Sequence, residues 1–258
     1  PWLNEINMGA TAIGTGITAD PRYADAVRRH LVEVTGTEMV TAPDLIGHGK
    51  APNWDGISDY HAAVTAQALT TIGEPTHLIG HSFGGTVALR LAIEHPHLVR
   101  SLTLIEPVFF AAARVAHDPA WDSFIADHQQ FGALVASGDK TAAARQFHAI
   151  WGGDAGFDSL PARMQTYMAD RIHLITAPWN VLLDDAPGLL AKGRLEALTM
   201  PVLLMQGDQS PPIINAITCA LAPRIPQAKS VMVSGAGHML PITHAGEVAD
   251  HIRAHLVP

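Results

Sequence analysis

Residues 76–85 read THLIGHSFGG, and this stretch decides the fold. An apolar, strand-like run leads directly into Ser82, and a helical pattern follows over residues 86–93. Gly80 and Gly84 stand two positions to either side of the serine, where a side chain would keep the two backbone segments apart. The stretch therefore predicts a strained strand-to-helix turn that holds the Ser82 hydroxyl above the end of a sheet.

Ser82 needs a neighbouring base before its hydroxyl can act as a nucleophile at neutral pH. Such a base is expected after the last strand of the sheet, and His238 follows an apolar run over residues 230–233 and a glycine-rich loop. At the start of the helix, the N–H of Phe83 would face a developing oxyanion. We therefore expect Ser82 to be the nucleophile, His238 its general base and Phe83 an oxyanion donor. An ordinary serine in a glycine-rich turn is the alternative.

Short apolar runs alternate with helical patterns along the chain, which predicts an α/β fold with a doubly wound, mainly parallel sheet. The expected strands cover residues 39–42, 76–80, 101–105, 202–205 and 230–233. The expected helices cover residues 22–33, 59–72, 85–94, 213–221 and 245–256. Residues 108–198 carry helical patterns and no convincing strand, so we expect them to form a helical cap. Residues 1–107 and 199–258 would then form the core.

Three motifs, in the same order, resemble the α/β-hydrolase superfamily. Residues 42–49 (APDLIGHG) match its loop after the fourth strand, residues 80–84 its nucleophile elbow, and residues 235–238 its histidine loop. The resemblance, which begins at about Thr41, implies an esterase-like serine hydrolase that needs no cofactor or metal and cleaves a small, largely apolar ester, thioester or lactone through an acyl-enzyme. A relative performing C–C bond hydrolysis or perhydrolysis, and an inactive hydrolase-like binding protein, remain alternatives.

The acid that would orient His238 is less obvious. The superfamily usually has an aspartate three residues after the glycine that ends its seventh strand, and Ser210 stands at that position after Gly207. Asp208 comes two residues earlier, whereas Glu106 directly follows another expected strand and resembles the arrangement of certain haloalkane dehalogenases. We expect Glu106 to be the acid, with Asp208 as the alternative.

The first forty residues resemble a substrate-binding segment of the fumarase and aspartase superfamily, with Thr11 at a binding position. The rest of that family's site is absent from the sequence, so we do not expect lyase activity. In the hydrolase fold, residues 6–8 would form a short strand, and Gly9 and the N–H of Ala10 would provide the second oxyanion donor. Either this segment replaces the usual one or the oxyanion hole is damaged.

Composition limits the choice of partner and compartment. The 258 residues, 48% hydrophobic and 16% charged, suffice for one domain with an insertion. A net charge of -8 with scattered basic residues argues against nucleic acid and membrane surfaces as partners. We expect a small-molecule substrate, with a homodimer left open. We expect Cys219, the single cysteine, to be buried. Because one cysteine cannot form a disulfide within the chain, and because the sequence shows no signal-peptide pattern and no apolar run of membrane-spanning length, we expect the protein in the cytoplasm.

The expected cap is rich in aromatic side chains. They could line an acyl pocket, although aromatic residues in such an insertion more often form its own core. The candidates are Phe109, Phe110, Trp121, Phe124, Trp151 and Trp179.

Overall fold

The structure, a computed structural model, describes residues 3–5, 40–152 and 156–256. Within them a six-stranded sheet has the order β2-β1-β3-β4-β5-β6, and every neighbouring pair of strands is parallel. This confirms the predicted α/β class and parallel sheet. The strands are β1 (Leu3–Glu5), β2 (Val40–Thr41), β3 (Thr76–His81), β4 (Val99–Ile105), β5 (Val202–Gly207) and β6 (Ala228–Val233).

From β2 to β6, the described helices lie in the segments that join the strands, and two more follow β6. Those between β4 and β5, in the region expected to form the cap, are α3 to α6 and two helices of a single turn, α7 and α8. None of the described helices is long and apolar enough to cross a membrane. The helices are α1 (Tyr60–Leu69), α2 (Phe83–Glu94), α3 (Ala111–Val115), α4 (Ala120–Ser137), α5 (Lys140–Trp151), α6 (Ala162–Arg171), α7 (His173–Thr176), α8 (Trp179–Leu182), α9 (Pro212–Leu221), α10 (Leu240–Thr243) and α11 (Ala245–Leu256).

The central strands β3, β4 and β5 are buried on both faces. Successive residues of a strand point to opposite sides of the sheet, so chain neighbours belong to different clusters. Leu78 and Leu104 belong to the larger apolar cluster, which includes side chains of α2 and of the helices between β4 and β5. Their chain neighbours Ile79 and Ile105 belong to a second cluster, which includes side chains of α11. Helices therefore cover both faces, as the nearly continuous apolar strand sequences predict.

Several expectations need correction or lie outside the described residues. Helix α1 ends at Leu69, three residues before the expected boundary. The expected helix over residues 22–33 and the expected strand over residues 6–8 lie outside the described residues. A strand of three residues, β1, occupies the sheet position between β2 and β3 instead.

The expectation that Cys219 is buried is wrong. The residue lies on α9, whose buried side chains form one face of the helix, and Cys219 is exposed on the other face. Its thiol contacts the side-chain oxygen of Asn215, one turn earlier, at 3.8 Å. A free cysteine often serves as a small apolar core residue, but here the helix phase decides its exposure.

Candidate active site

Ser82 occupies the sharp turn between β3 and α2. Its φ of 56° and ψ of -124° are strained values for a residue that is not glycine. The turn is fixed on one side by the Ser82 N–H, which donates to the carbonyl oxygen of Ile105 (2.9 Å). A Cβ at Gly80 would collide with the backbone of Gly84, so the close approach that the sequence predicts is present in the structure.

His238 reaches Ser82 from the loop after β6. The Ser82 hydroxyl lies 3.1 Å from His238 Nε2, within hydrogen-bonding distance. On the other side of the ring, His238 Nδ1 lies 2.9 Å from Oε2 of Glu106. All three side chains are buried. Three residues far apart in sequence thus form one hydrogen-bonded line of hydroxyl, imidazole and carboxylate.

The carboxylate of Glu106 is fully buried at the end of β4, and each of its oxygens has a partner. While Oε2 faces His238, Oε1 accepts hydrogen bonds from the Gly207 N–H (2.7 Å) and from the Ser210 hydroxyl (2.6 Å). Ser210 thus donates to Glu106 from the position where the superfamily usually has its acid. These hydrogen bonds offset the cost of removing a carboxylate from water.

Asp208, the alternative acid, stabilises a different part of the site. Its exposed carboxylate accepts from the N–H of Gly235 (2.7 Å), the hydroxyl of Ser234 (3.2 Å) and the amide of Gln209 (3.1 Å). These hydrogen bonds, that of Gln209 foremost, lower the pKa of Asp208. The residue therefore ties down the turn that leads to His238, and the structure places Glu106 beside the imidazole.

The predicted oxyanion donors are only partly within the described residues. Phe83 is the first residue of α2, so its N–H is one of the four that a helix leaves without an intrahelical acceptor. Glu5 pairs with Ile79, so β1 runs towards the same sheet edge as β3, where Ser82 lies. Gly9 and Ala10 lie outside the described residues, and their role as second donor stays a prediction.

His81 is a site residue that the sequence analysis missed. It directly precedes Ser82, is almost fully buried, and its Nε2–H donates to the backbone carbonyl oxygen of His238 (2.8 Å). Burial and the neighbouring His238 imidazole hold the pKa of His81 well below its usual value. The side chain therefore works as a neutral donor that fixes the His238 backbone. Its position inside the elbow was the one available signal.

A mostly apolar cavity opens beside Ser82 and His238, with about 640 Å³ of free space including its mouth. Of the six candidate aromatics, Phe110, Trp151 and Trp179 line it. The remaining three do not. Phe109 is fully buried in the core, and Trp121 and Phe124 pack behind the wall. Trp151 also meets the His238 ring edge-on, with ring centres 4.7 Å apart.

His48 adds a polar group to the cavity wall, and the sequence analysis missed this role. It belongs to the loop matched at residues 42–49, and its Nδ1 lies 3.4 Å from the hydroxyl of Tyr167 on α6. Arg171, also on α6, donates to the carbonyl oxygen of Gly47 (3.0 Å). Burial, assisted by the Arg171 charge, lowers the pKa of His48 to about 3. The loop and the helices after β4 are thus joined directly at the cavity.

Across the described residues, no three His, Cys, Asp or Glu side chains are grouped so as to hold a metal ion.

Comparison with known proteins gives two curated relatives that are similar along most of their length. Lipase LipV of Mycobacterium tuberculosis is 28% identical over 258 aligned residues, covering 94% of this chain and 91% of the relative. Pimeloyl-(acyl-carrier protein) methyl ester esterase of Aeromonas hydrophila is 28% identical over 239 residues, covering 90% of this chain and 86% of the relative. Aspartate ammonia-lyase of Bacillus subtilis is 50% identical, but over only 44 residues, 17% of this chain and 9% of that enzyme.

Among solved structures, a hydrolase from Pseudomonas aeruginosa PA01 has the same fold, with a TM-score of 0.69 and 19% sequence identity. The match covers 100% of this chain and 90% of that one. The sequence also matches the family described as alpha/beta hydrolase fold over residues 39–245. This chain therefore belongs to the alpha/beta hydrolase fold family and is a hydrolase.

Proposed function

We propose that the chain is a serine hydrolase that cleaves a small, largely apolar ester, thioester or lactone through a covalent acyl-enzyme. The observation that carries the proposal is the buried hydrogen-bonded line from Ser82 through His238 to Glu106, which ends at an apolar cavity. The two similar curated proteins, a lipase and a methyl ester esterase, support the choice of an ester bond. The single cysteine supports a reducing, cytoplasmic location.

In the first half of the reaction, the Ser82 oxygen attacks the carbonyl carbon while His238 Nε2 takes the hydroxyl proton. Glu106 holds Nδ1–H of the same ring and stabilises the positive charge that the imidazolium carries. The carbonyl oxygen becomes an oxyanion, to which the Phe83 N–H donates. When the intermediate collapses, the bond to the alkoxide or thiolate breaks, and the imidazolium returns its proton to that leaving group.

In the second half, water repeats the attack on the acyl-enzyme. His238 takes a proton from the water molecule, the hydroxide adds to the acyl carbon, and the Ser82 oxygen leaves with the proton that His238 returns. The products are a carboxylic acid and an alcohol or thiol. For a lactone, both groups remain on one molecule.

A fluorophosphonate probe tests whether Ser82 is an activated nucleophile. We expect the folded protein to be labelled once, with the modified peptide carrying Ser82, because an unactivated serine does not react at neutral pH. The Ser82→Ala variant should not be labelled. The matched control is Ser137→Ala, which removes the exposed hydroxyl at the end of α4 and should be labelled like the original chain. A folded protein that the probe leaves unmodified would point to an inactive, hydrolase-like binding protein instead.

A further inference from the structure

Two ring nitrogen atoms of residues that line the cavity have no hydrogen-bond partner among the described residues. They are Nε2 of His128, on α4, and Nε1 of Trp179, at the start of α8, and both atoms are fully buried. The His128 side chain as a whole is only 8% exposed. Most polar atoms in protein interiors are paired, so two unpaired ones on residues that line one cavity require a physical reason.

The two rings lie against each other, with centres 4.6 Å apart and planes tilted by 31°. Both unpaired nitrogen atoms therefore belong to one pair of contacting rings. A Trp N–H can only donate, and a neutral His Nε2 can donate or accept depending on its tautomer. The pair thus suits an oxygen atom with lone pairs, since a carbonyl accepts from both groups and a hydroxyl accepts from Trp179 while donating to His128.

The cavity wall limits this oxygen to an uncharged group. None of the described residues that line the cavity is Lys, Arg, Asp or Glu. Burial lowers the pKa of His128 to about 4, so its imidazole carries no charge at neutral pH. A carboxylate or an ammonium ion would therefore lose its hydration without gaining an ionic partner, which is costly. A ketone or a hydroxyl loses much less.

A path of two aromatic rings connects the catalytic imidazole to the pair. The Trp151 ring centre lies 4.7 Å from that of His238. The Phe110 ring centre lies 6.1 Å from that of Trp151, and the His128 ring centre lies 5.4 Å from that of Phe110. A substrate acyl group bound to Ser82 would pass along these apolar rings first. Its oxygen would meet His128 and Trp179 several carbon atoms from the ester carbonyl.

We propose that His128 and Trp179 form a specificity site for a neutral oxygen atom, a keto or hydroxyl group, on the distal part of the substrate's acyl chain. This inference rests on the proposed function, since it names the substrate class of the same cavity. Bound substrate supplies the missing partner of both nitrogen atoms. A purely alkyl chain leaves them unpaired and is the poorer substrate.

The test compares matched p-nitrophenyl esters. The 4-oxopentanoate, 5-oxohexanoate and 6-oxoheptanoate esters are each paired with the plain alkanoate ester of the same chain length, and kcat/KM is measured for all six. We expect the keto ester to be preferred about tenfold at one chain length, which corresponds to one or two buried hydrogen bonds. Without such a site, an apolar wall disfavours the keto group at every length.

Substitutions connect the preference to the two residues. His128→Phe and Trp179→Phe keep an aromatic ring at each position and remove the unpaired nitrogen atom, so each should lower the ratio of kcat/KM for the keto ester to kcat/KM for the alkanoate ester of the same length. The matched control is Trp121→Phe, since Trp121 does not line the cavity, and it should keep the preference. The inference is wrong if no keto ester is preferred at any length, or if both variants keep the preference. If the protein hydrolyses none of the six esters, the proposed function itself is wrong.

Discussion

At Glu106 the backbone and the side chain are both fixed in ways that suit a buried acid. The residue has a φ of 49°, which is unusual for a side chain of this size, and its N–H donates to the carbonyl oxygen of Met205 (2.8 Å). Such strain is tolerated where the surroundings determine the conformation. Here it directs the carboxylate between His238 and Ser210, where both of its oxygens are bound.

Replacing Glu106 by its amide should therefore disable the enzyme. We expect Glu106→Gln to lower ester turnover on the order of 10⁴-fold, because an amide can hold His238 in the wrong tautomer and cannot stabilise its positive charge. Asp208→Asn is the matched variant, which makes the same change at a carboxylate that does not meet the imidazole, and it should cost far less. Turnover is measured on a p-nitrophenyl ester, with circular dichroism to establish that both variants fold.

The opposite pattern, a nearly normal Glu106→Gln beside a disabled Asp208→Asn, would transfer the role of the acid to Asp208. Two nearly normal variants would mean that His238 works without a carboxylate. The sequence favoured Glu106 but left Asp208 open, because both follow expected strands. Which carboxylate meets the imidazole depends on how the ends of β4, β5 and β6 are arranged in space.

The elbow between β3 and α2 is the element that sequence predicts best. All of its determinants lie within ten consecutive residues, namely an apolar strand, two spaced glycines and a helix start, so no distant contact is needed to recognise it. The structure also explains why position 80, two residues before Ser82, is a glycine. A Cβ at Gly80 would meet the carbonyl group of Gly84 and the Cα of Gly85, which are backbone atoms that cannot move aside independently.

Gly80→Ala should accordingly destabilise the protein, although it adds only one methyl group. Overpacking of this kind costs about 1–3 kcal/mol, and we expect a value at the upper end because the colliding atoms belong to the backbone. The measurement is the free energy of unfolding in urea. Gly73→Ala is the control, since a Cβ at that loop position meets nothing within 4 Å. Equal stabilities of the two variants would refute this explanation of the elbow.

The elements between β4 and β5 were predicted less well than the elbow. Their helical character followed from composition, but the choice between pocket wall and cap core for each aromatic residue did not. That choice depends on helix phase and on which helix packs behind another, so Phe110 lines the cavity while Phe109, its neighbour in the chain, is buried in the core. The polar partners in the wall, His48 and His128, were not recognised for the same reason.

Over the whole molecule, buried neutral histidines make stability depend on pH. Burial lowers the pKa of His48 and of His61 to about 3, with help from the Arg171 and Arg90 charges respectively, and burial lowers that of His128 to about 4. In the unfolded chain each would titrate near 6.5. Below pH 6.5 the unfolded state therefore binds protons that the folded state does not, so stability falls as the pH falls from 6.5 towards 4.

Each of these histidines should contribute a loss of about 1.4 kcal/mol between neutral pH and pH 5.5, from the difference between its folded and unfolded pKa values. Urea unfolding at pH 7.5 and pH 5.5 measures the total loss, to which His81, whose pKa is also lowered by burial, contributes in the same direction. His128→Phe should reduce the pH-dependent loss by one such share, whereas Ser137→Ala, which removes no titratable group, should leave it unchanged. If the free energy of unfolding of His128→Phe fell with pH as much as that of the original chain, His128 would not be a buried neutral group.

At the scale of the molecule, sequence recognised the family and named all three aligned side chains, although Asp208 stayed open as the acid because only Ser82 and His238 stand in short motifs of their own. The full line required the fold, since Ser82 and His238 are 156 positions apart and are brought together by the parallel ends of the strands. His81 and His128 were not recognised from the sequence for the same reason. Their partners, or the lack of partners, exist only in three dimensions.

The most direct test of the proposed catalysis is ester turnover by Ser82→Ala, His238→Ala and the double variant, all shown to be folded. Because the hydroxyl and the imidazole act as one proton-transfer unit, each single variant should lose at least about 10⁴-fold in turnover, and the double variant should lose no more than either single one. Turnover near that of the original chain in any of the three would contradict the assignment of Ser82 and His238 as nucleophile and base.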